Sequence, residues 1–136
     1  MAAAVRAPIS KLLPIPVPMF LNWIPLTSTE EVNKLKEHSF SVPCLIFKHS
    51  TSCNISAIAK YRLDDDWDFE GDVLQPYFLD LLRFRPISKY VAESFEVYHE
   101  SPQILLIING ECVYDASHLD IRVEELKEAL DAVGSK

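Results

Sequence analysis

The dipeptide Asn109-Gly110 limits the fold more than any other feature of this chain. It follows Ile104-Leu105-Leu106-Ile107-Ile108, the most apolar stretch, and precedes Glu111-Cys112-Val113-Tyr114, where outward and inward residues alternate. Asn-Gly is the preferred pair for a two-residue hairpin turn, because both of its positions adopt positive φ with little strain. An antiparallel hairpin is therefore expected to close a β-sheet, and the rest of the chain must supply strands for it.

The partner strand is read at Cys44-Leu45-Ile46-Phe47, where consecutive apolar residues after Pro43 indicate a strand buried on both faces. From Asn54, the positions Ile55, Ala57-Ile58-Ala59 and Tyr61-Arg62-Leu63 follow helical spacing up to the acidic run that starts at Asp64. Tyr77 to Leu82 reads as a second strand, ending at Arg83-Phe84-Arg85, and Pro86 opens a helix with Ile87, Tyr90-Val91 and Phe95 at core spacing. Upstream, Thr27-Ser28-Thr29 with Glu30 and Glu31 caps a first helix that carries Val32 and Leu35 and runs to about His38. A last helix carries Val123, Leu126, Leu130 and Val133 and ends at Gly134. The expected order is an initial helix followed by βαβαββα. This is an α/β fold, with a central mixed sheet made of a parallel half and a C-terminal antiparallel hairpin, flanked by helices.

At 136 residues and 49% hydrophobic, the chain is the size of one globular domain, expected over residues 23–136. Residues 1–22 contain Pro8, Pro14, Pro16 and Pro18, which break the apolar helix that a secretion signal requires, so they read as an extended arm. The run Asp64-Asp65-Asp66-Trp67-Asp68-Phe69-Glu70-Gly71-Asp72 partly matches a calcium-binding loop, but Tyr77 stands where the closing carboxylate is needed, and the run reads as a solvated loop.

Thirteen basic against twenty acidic residues give a net charge of −7, which argues against nucleic acid and anionic membranes as partners. No apolar run approaches the roughly 18 residues of a membrane span. Three cysteines, Cys44, Cys53 and Cys112, with no CxxC pair and no metal-ligand spacing, are neither a disulfide framework nor a metal site. A thiol-keeping, cytoplasmic setting suits them.

Chemistry is expected at Lys48-His49-Ser50-Thr51-Ser52-Cys53-Asn54-Ile55-Ser56, where a strand gives way to a helix. Cys53 falls at the helix N-terminus, where the macrodipole and unpaired N–H groups favour an anion. Thiols in such positions ionise at a pH well below the roughly 8.5 of a free cysteine. Lys48 and His49, near in sequence, would add positive field. Cys44 reads as a small buried hydrophobe, and Cys112 lacks a polar neighbourhood to activate it. An inert cysteine at a helix start remains the alternative for Cys53.

Ser101-Pro102 just before a strand adds a second element. With Cys53 at a strand-to-helix turn, it resembles the thioredoxin-like superfamily, whose active cysteine faces a cis-proline loop. Here the motif is Cys53-Asn54-Ile55-Ser56, so a serine replaces the second thiol. Several separated pieces narrow the likeness. These are Ile46 to Ser56, Arg85-Pro86-Ile87-Ser88, His99-Glu100-Ser101-Pro102-Gln103, and Asn109-Gly110 with Ser117-His118. In this order they resemble the YtxJ family of monothiol bacilliredoxin-like proteins, over about Trp23 to Leu130. The resemblance implies a thioredoxin-like domain in which Cys53 removes bacillithiol, or a similar low-molecular-weight thiol, from oxidised proteins carrying mixed disulfides. The thiol serves as co-substrate, with no other cofactor and no metal. It also implies oxidative-stress physiology, a cis Ser101-Pro102 bond, and support or substrate binding from Ser52, Ser56, His49, His99, Ser101, Pro102 and Arg85. Ser56 could hydrogen-bond the sulfur. His49, His99 and His118 either converge on a substrate or cap strands and loops; Arg85 either binds a carboxylate of the thiol or pairs with the acidic run. The other functions to be weighed are an iron–sulfur or metal carrier, whose usual CGFS motif Asn54-Ile55 does not match, and a non-catalytic thioredoxin-like binding or stress module.

Overall fold

A computed structural model describes residues 21–134. All but the last two residues of the expected extension over 1–22 lie outside the described residues. The elements are β1 (Ile24–Pro25), α1 (Thr29–His38), β2 (Cys44–His49), α2 (Asn54–Asp66) and β3 (Gln75–Asp80). There follow α3 (Arg85–Phe95), β4 (Gln103–Ile108), β5 (Glu111–Ser117), a 3₁₀ turn (His118–Asp120) and α4 (Val123–Gly134). The sheet order is β1-β3-β2-β4-β5. β1, β3 and β2 run parallel, while β4 is antiparallel to β2, and β5 to β4. The expected mixed sheet, with a parallel half, a terminal hairpin and helices on both sides, is what forms.

Local signals explain the ends of these elements. Ser28 Oγ accepts the Glu31 N–H at 3.1 Å while Glu31 Oε1 accepts the Thr27 N–H at 2.7 Å, a reciprocal cap that starts α1. Asn109 and Gly110 take φ of 53° and 80°, as the tight turn demands. Both also donate backbone N–H bonds to Ser39, at the end of α1, so the hairpin tip is tied to the first helix.

Alternation along β2 and β4 divides the core into two halves. Cys44, Ile46, Leu105 and Ile107 face α1 and α3, where Val32, Leu35, Ile87, Val91 and Phe95 cover them. Leu45, Phe47, Ile104 and Leu106 face α2 and α4, against Ala59, Leu63, Val123 and Leu126. Burying a side chain such as Phe47 contributes about 1.5–3 kcal/mol, so this central pair of strands anchors the domain. The same alternation sends the next residues of β2, Lys48 and His49, to opposite faces.

Five elements differ from the sequence reading. β1 was not expected; two residues are too few for periodicity, and they are held by pairing with Tyr77 and Phe78. β3 begins at Gln75 and includes Pro76. Gln75 N–H donates to Pro43 on the β2 side, so the Pro76 nitrogen points to the β1 side, one residue before β1 pairing begins, and its missing donor costs nothing. The acidic run is helical through Asp66, because Asp64 takes Lys60 at 2.7 Å one turn away and the Trp23 indole N–H at 2.8 Å. Trp67 and Phe69 then pack against the core, so this is not a wholly solvated loop. Finally, β2 continues through Lys48 and His49, and β5 through Ser117.

Candidate active site around Cys53

Cys53 is the N-cap residue of α2 and is half-buried. Its N–H donates to Ser50 O at 3.2 Å and its C=O accepts the Ala57 N–H at 3.1 Å, so the backbone is fixed while the thiol makes no capping bond. The first turn of α2 contains no acidic residue, whereas α1 and α4 carry Glu30-Glu31 and Glu124-Glu125 there. The positive end of α2 is thus left to whatever anion Cys53 provides.

Beneath the loop lies a buried polar net. Ser56, fully buried, accepts the Ser50 N–H on Oγ at 3.0 Å, and its Oγ lies 2.7 Å from His49 Nδ1. One hydrogen bond joins the hydroxyl and Nδ1, with the donor set by the His49 tautomer. Burial holds His49 below its ordinary titration range, with Lys60 adding to the effect and Asp80 opposing it. His49 is therefore neutral at pH 7 and does not supply the positive field expected from its place in the sequence. Ser56 is likewise committed to His49 and Ser50. Ser52 is exposed, with its hydroxyl 3.1 Å from that of Ser50. Asp80, the register partner of His49 across β2 and β3, has one buried carboxylate oxygen without a hydrogen-bond partner.

On the other face of the sheet Lys48 is fully buried, and its Nζ lies 3.3 Å from His99 Nδ1, which also lies 3.2 Å from Ser88 Oγ on α3. Burial pushes the Lys48 ammonium down to about 8 and His99 below its usual range, with Lys48 as the second cause for His99. Arg85 is the first residue of α3 and is exposed; among the described residues it forms no ion pair with the acidic run. The Ser101–Pro102 bond is cis, and Pro102 O accepts the His118 N–H at 3.0 Å. The three histidines do not converge. His49 and His99 lie on opposite faces of the sheet, and His118 Nε2 sits 3.5 Å from Glu100. Lys48 with Ser88, and His49 with Ser50 and Asp80, are the groups whose roles the sequence conceals; the parity of Lys48 with Cys44 and Ile46 was the signal available.

The other two thiols are held protonated. Burial pushes Cys44 and Cys112 up to about 11. Among the described residues, no group of three or more His, Cys, Asp or Glu is placed to hold a metal ion. Nor is any described helix long and apolar enough to cross a membrane.

A family model described as monothiol bacilliredoxin BrxC matches residues 24–126. The chain belongs to that family. Among solved structures, a protein of thioredoxin fold provisionally described as an oxidoreductase is 34% identical, with a TM-score of 0.68 over 78% of this chain and 91% of that one. Thioredoxin from Trypanosoma brucei brucei is 10% identical, with a TM-score of 0.67 over 85% and 93% of the two chains. Thioredoxin from Malassezia sympodialis is 16% identical, with a TM-score of 0.59 over 82% and 90%. The last two carry the fold alone. Membership of the monothiol bacilliredoxin family, with the thioredoxin fold, supports thiol–disulfide redox chemistry, and Cys53 is the thiol that the fold sets at a helix N-terminus.

Proposed function

We propose that this monothiol bacilliredoxin removes bacillithiol, or a similar low-molecular-weight thiol, from proteins that carry it as a mixed disulfide. The Cys53 thiolate attacks the sulfur of the small thiol, the disulfide bond to the protein breaks, and the protein cysteine leaves as a thiolate that takes up a proton. Cys53 now carries the small thiol. A second molecule of that thiol, as its thiolate, attacks the adduct and leaves as the symmetric disulfide, restoring the Cys53 thiolate. No cofactor beyond this co-substrate enters the cycle, which belongs in a reducing, cytoplasmic setting under oxidative stress.

The observation that carries this reading is the placement of a single available thiol. Cys53 stands at a helix start free of acidic residues, while Cys44 and Cys112 are held protonated by burial and Ser56 fills the position of a resolving thiol. Incubation of the reduced protein with a bacillithiol-capped peptide should give a mass adduct on Cys53, lost on adding free bacillithiol and absent in Cys53→Ser. Equal release of the cap by Cys53→Ser and wild type would overturn the proposal.

A further inference from the structure

A cleft of about 440 Å³ opens beside the first turns of α3, walled by Leu81 and Ala92 and rimmed by Arg85, Lys89, Ser88 and His99. That volume lies within the range of small-molecule sites. Glu93 is the one acidic residue in its lining. Behind His99 stands Lys48, an ammonium with no accessible surface, whose Nζ reaches His99 Nδ1 and, among the described residues, no carboxylate. A buried cation without a counter-anion is costly, and proteins that retain one generally give it a partner. His99 already links it to the cleft. When Lys48 donates to Nδ1, the imidazole that lines the cleft keeps its N–H on Nε2, a donor backed by a positive charge. Arg85 supplies the planar fork that suits a carboxylate, and it sits at the N-terminus of α3, whose first turn holds no acidic residue.

We infer that this cleft is a carboxylate-binding subsite, in which Arg85 and the Lys48–His99 pair hold a carboxylate of the small thiol whose sulfur is exchanged at Cys53. The assignment rests on the transfer reaction proposed above and deepens it. The two places are joined through the backbone. Lys48 and His49 end β2, Cys53 begins the next helix four residues later, and the N–H of Leu81, in the cleft wall, donates to His49 O at 2.9 Å. The apolar wall would lie against the carbon skeleton of the thiol.

The site can be tested without turnover. Succinate, a dicarboxylate with no thiol, is titrated into the reduced full-length protein while the His99 ring signals are followed by NMR, with His99→Gln identifying them. A saturable shift is expected, with affinity at least tenfold weaker in Arg85→Gln and in Lys48→Met. Arg85 is exposed, so its variant carries the test if Lys48→Met does not fold. No saturable shift in wild type, or undiminished affinity in Arg85→Gln, would overturn the subsite. In a second measurement, a glutathione-capped peptide, with two carboxylates on the cap, is compared with a cysteamine-capped one that has none. The kcat/KM preference for the first should fall about tenfold in Arg85→Gln; an unchanged ratio counts against the subsite. If Cys53 gains no adduct from either peptide or from the bacillithiol-capped one, the transfer reaction itself has failed, and the succinate result still decides whether the cleft binds carboxylates.

Discussion

Ser56 Oγ and His49 Nδ1 lie 2.7 Å apart under the loop that carries Cys53, and the same hydroxyl accepts the Ser50 N–H at 3.0 Å. One buried serine therefore joins the end of β2, the loop and the first turn of α2. Ser56→Ala leaves a donor and a ring nitrogen unsatisfied in a buried place, at a cost of about 1–3 kcal/mol. Urea unfolding should show that loss, while Ser52→Ala, on the exposed side of the loop, stays within about 0.5 kcal/mol of wild type.

His49 gives stability an acid limb. Its titration is depressed by burial and by Lys60, partly offset by Asp80 and Asp64. As pH falls through about 6.5 the unfolded chain takes up the imidazole proton first, so the folded state loses stability until its own lower pKa is passed. His99, also depressed, contributes in the same direction. Melting followed from pH 7 to 5 should fall more steeply in wild type than in His49→Gln. Parallel curves would show that His49 titrates as freely folded as unfolded.

Alkylation should single out one cysteine. With Cys44 and Cys112 pushed up to about 11, only about one molecule in a thousand carries either thiolate at pH 8, before any loss of access is counted. Brief treatment with iodoacetamide, read by peptide mass mapping, should label Cys53 in wild type and leave Cys53→Ser almost unlabelled. Strong labelling of Cys112 in the folded protein would contradict this environment.

Lys48 gives the opposite end of the pH range its own signature. The folded-state ammonium titrates at about 8 and the unfolded one near 10.4, so between these values the unfolded state holds the extra proton and stability rises with pH. The expected gain is up to about 1.4 kcal/mol per pH unit in that window. It should emerge as the difference between wild type and Lys48→Met, since the opposing ionisations of Cys44 and Tyr77 are common to both proteins. A flat difference from pH 8 to 10 would mean that Lys48 stays charged when buried.

Gly110 carries the hairpin. At φ of 80° a Cβ is strained, and it would also meet Phe40 Cζ at 3.0 Å. Phe40 is largely exposed and can yield, so the backbone accounts for most of the cost, and Gly110→Ala should lose about 1 kcal/mol. A thermal melt measures it.

The fold was legible wherever one property repeats along a segment. The Asn109-Gly110 turn, the apolar run of β4, the capped start of α1 and the position of Cys53 at a helix start all follow from neighbours in sequence. The polar interior does not, because it is made by distant pairs. Lys48 and His49 look like the start of a loop when partners such as His99, Ser88 and Ser56 are unknown, and a buried polar strand end has the same local composition as an exposed one. Pro76 shows the same limit, since its tolerance depends on which neighbour its nitrogen faces. Ser56 was readable as the missing second thiol, but its commitment to His49 depended on the tertiary arrangement.

The chain's two tryptophans, Trp23 and Trp67, stand with ring centroids 5.9 Å apart, and Trp23 also bonds Asp64 near the end of α2. Their emission therefore comes from one spot, where β1 docks on the far end of the 13-residue helix that begins beside Cys53. Tryptophan fluorescence should be a sharp optical gauge of unfolding and a poor one of thiol loading. A dye or an isotope on the transferred thiol is needed to watch the chemistry itself.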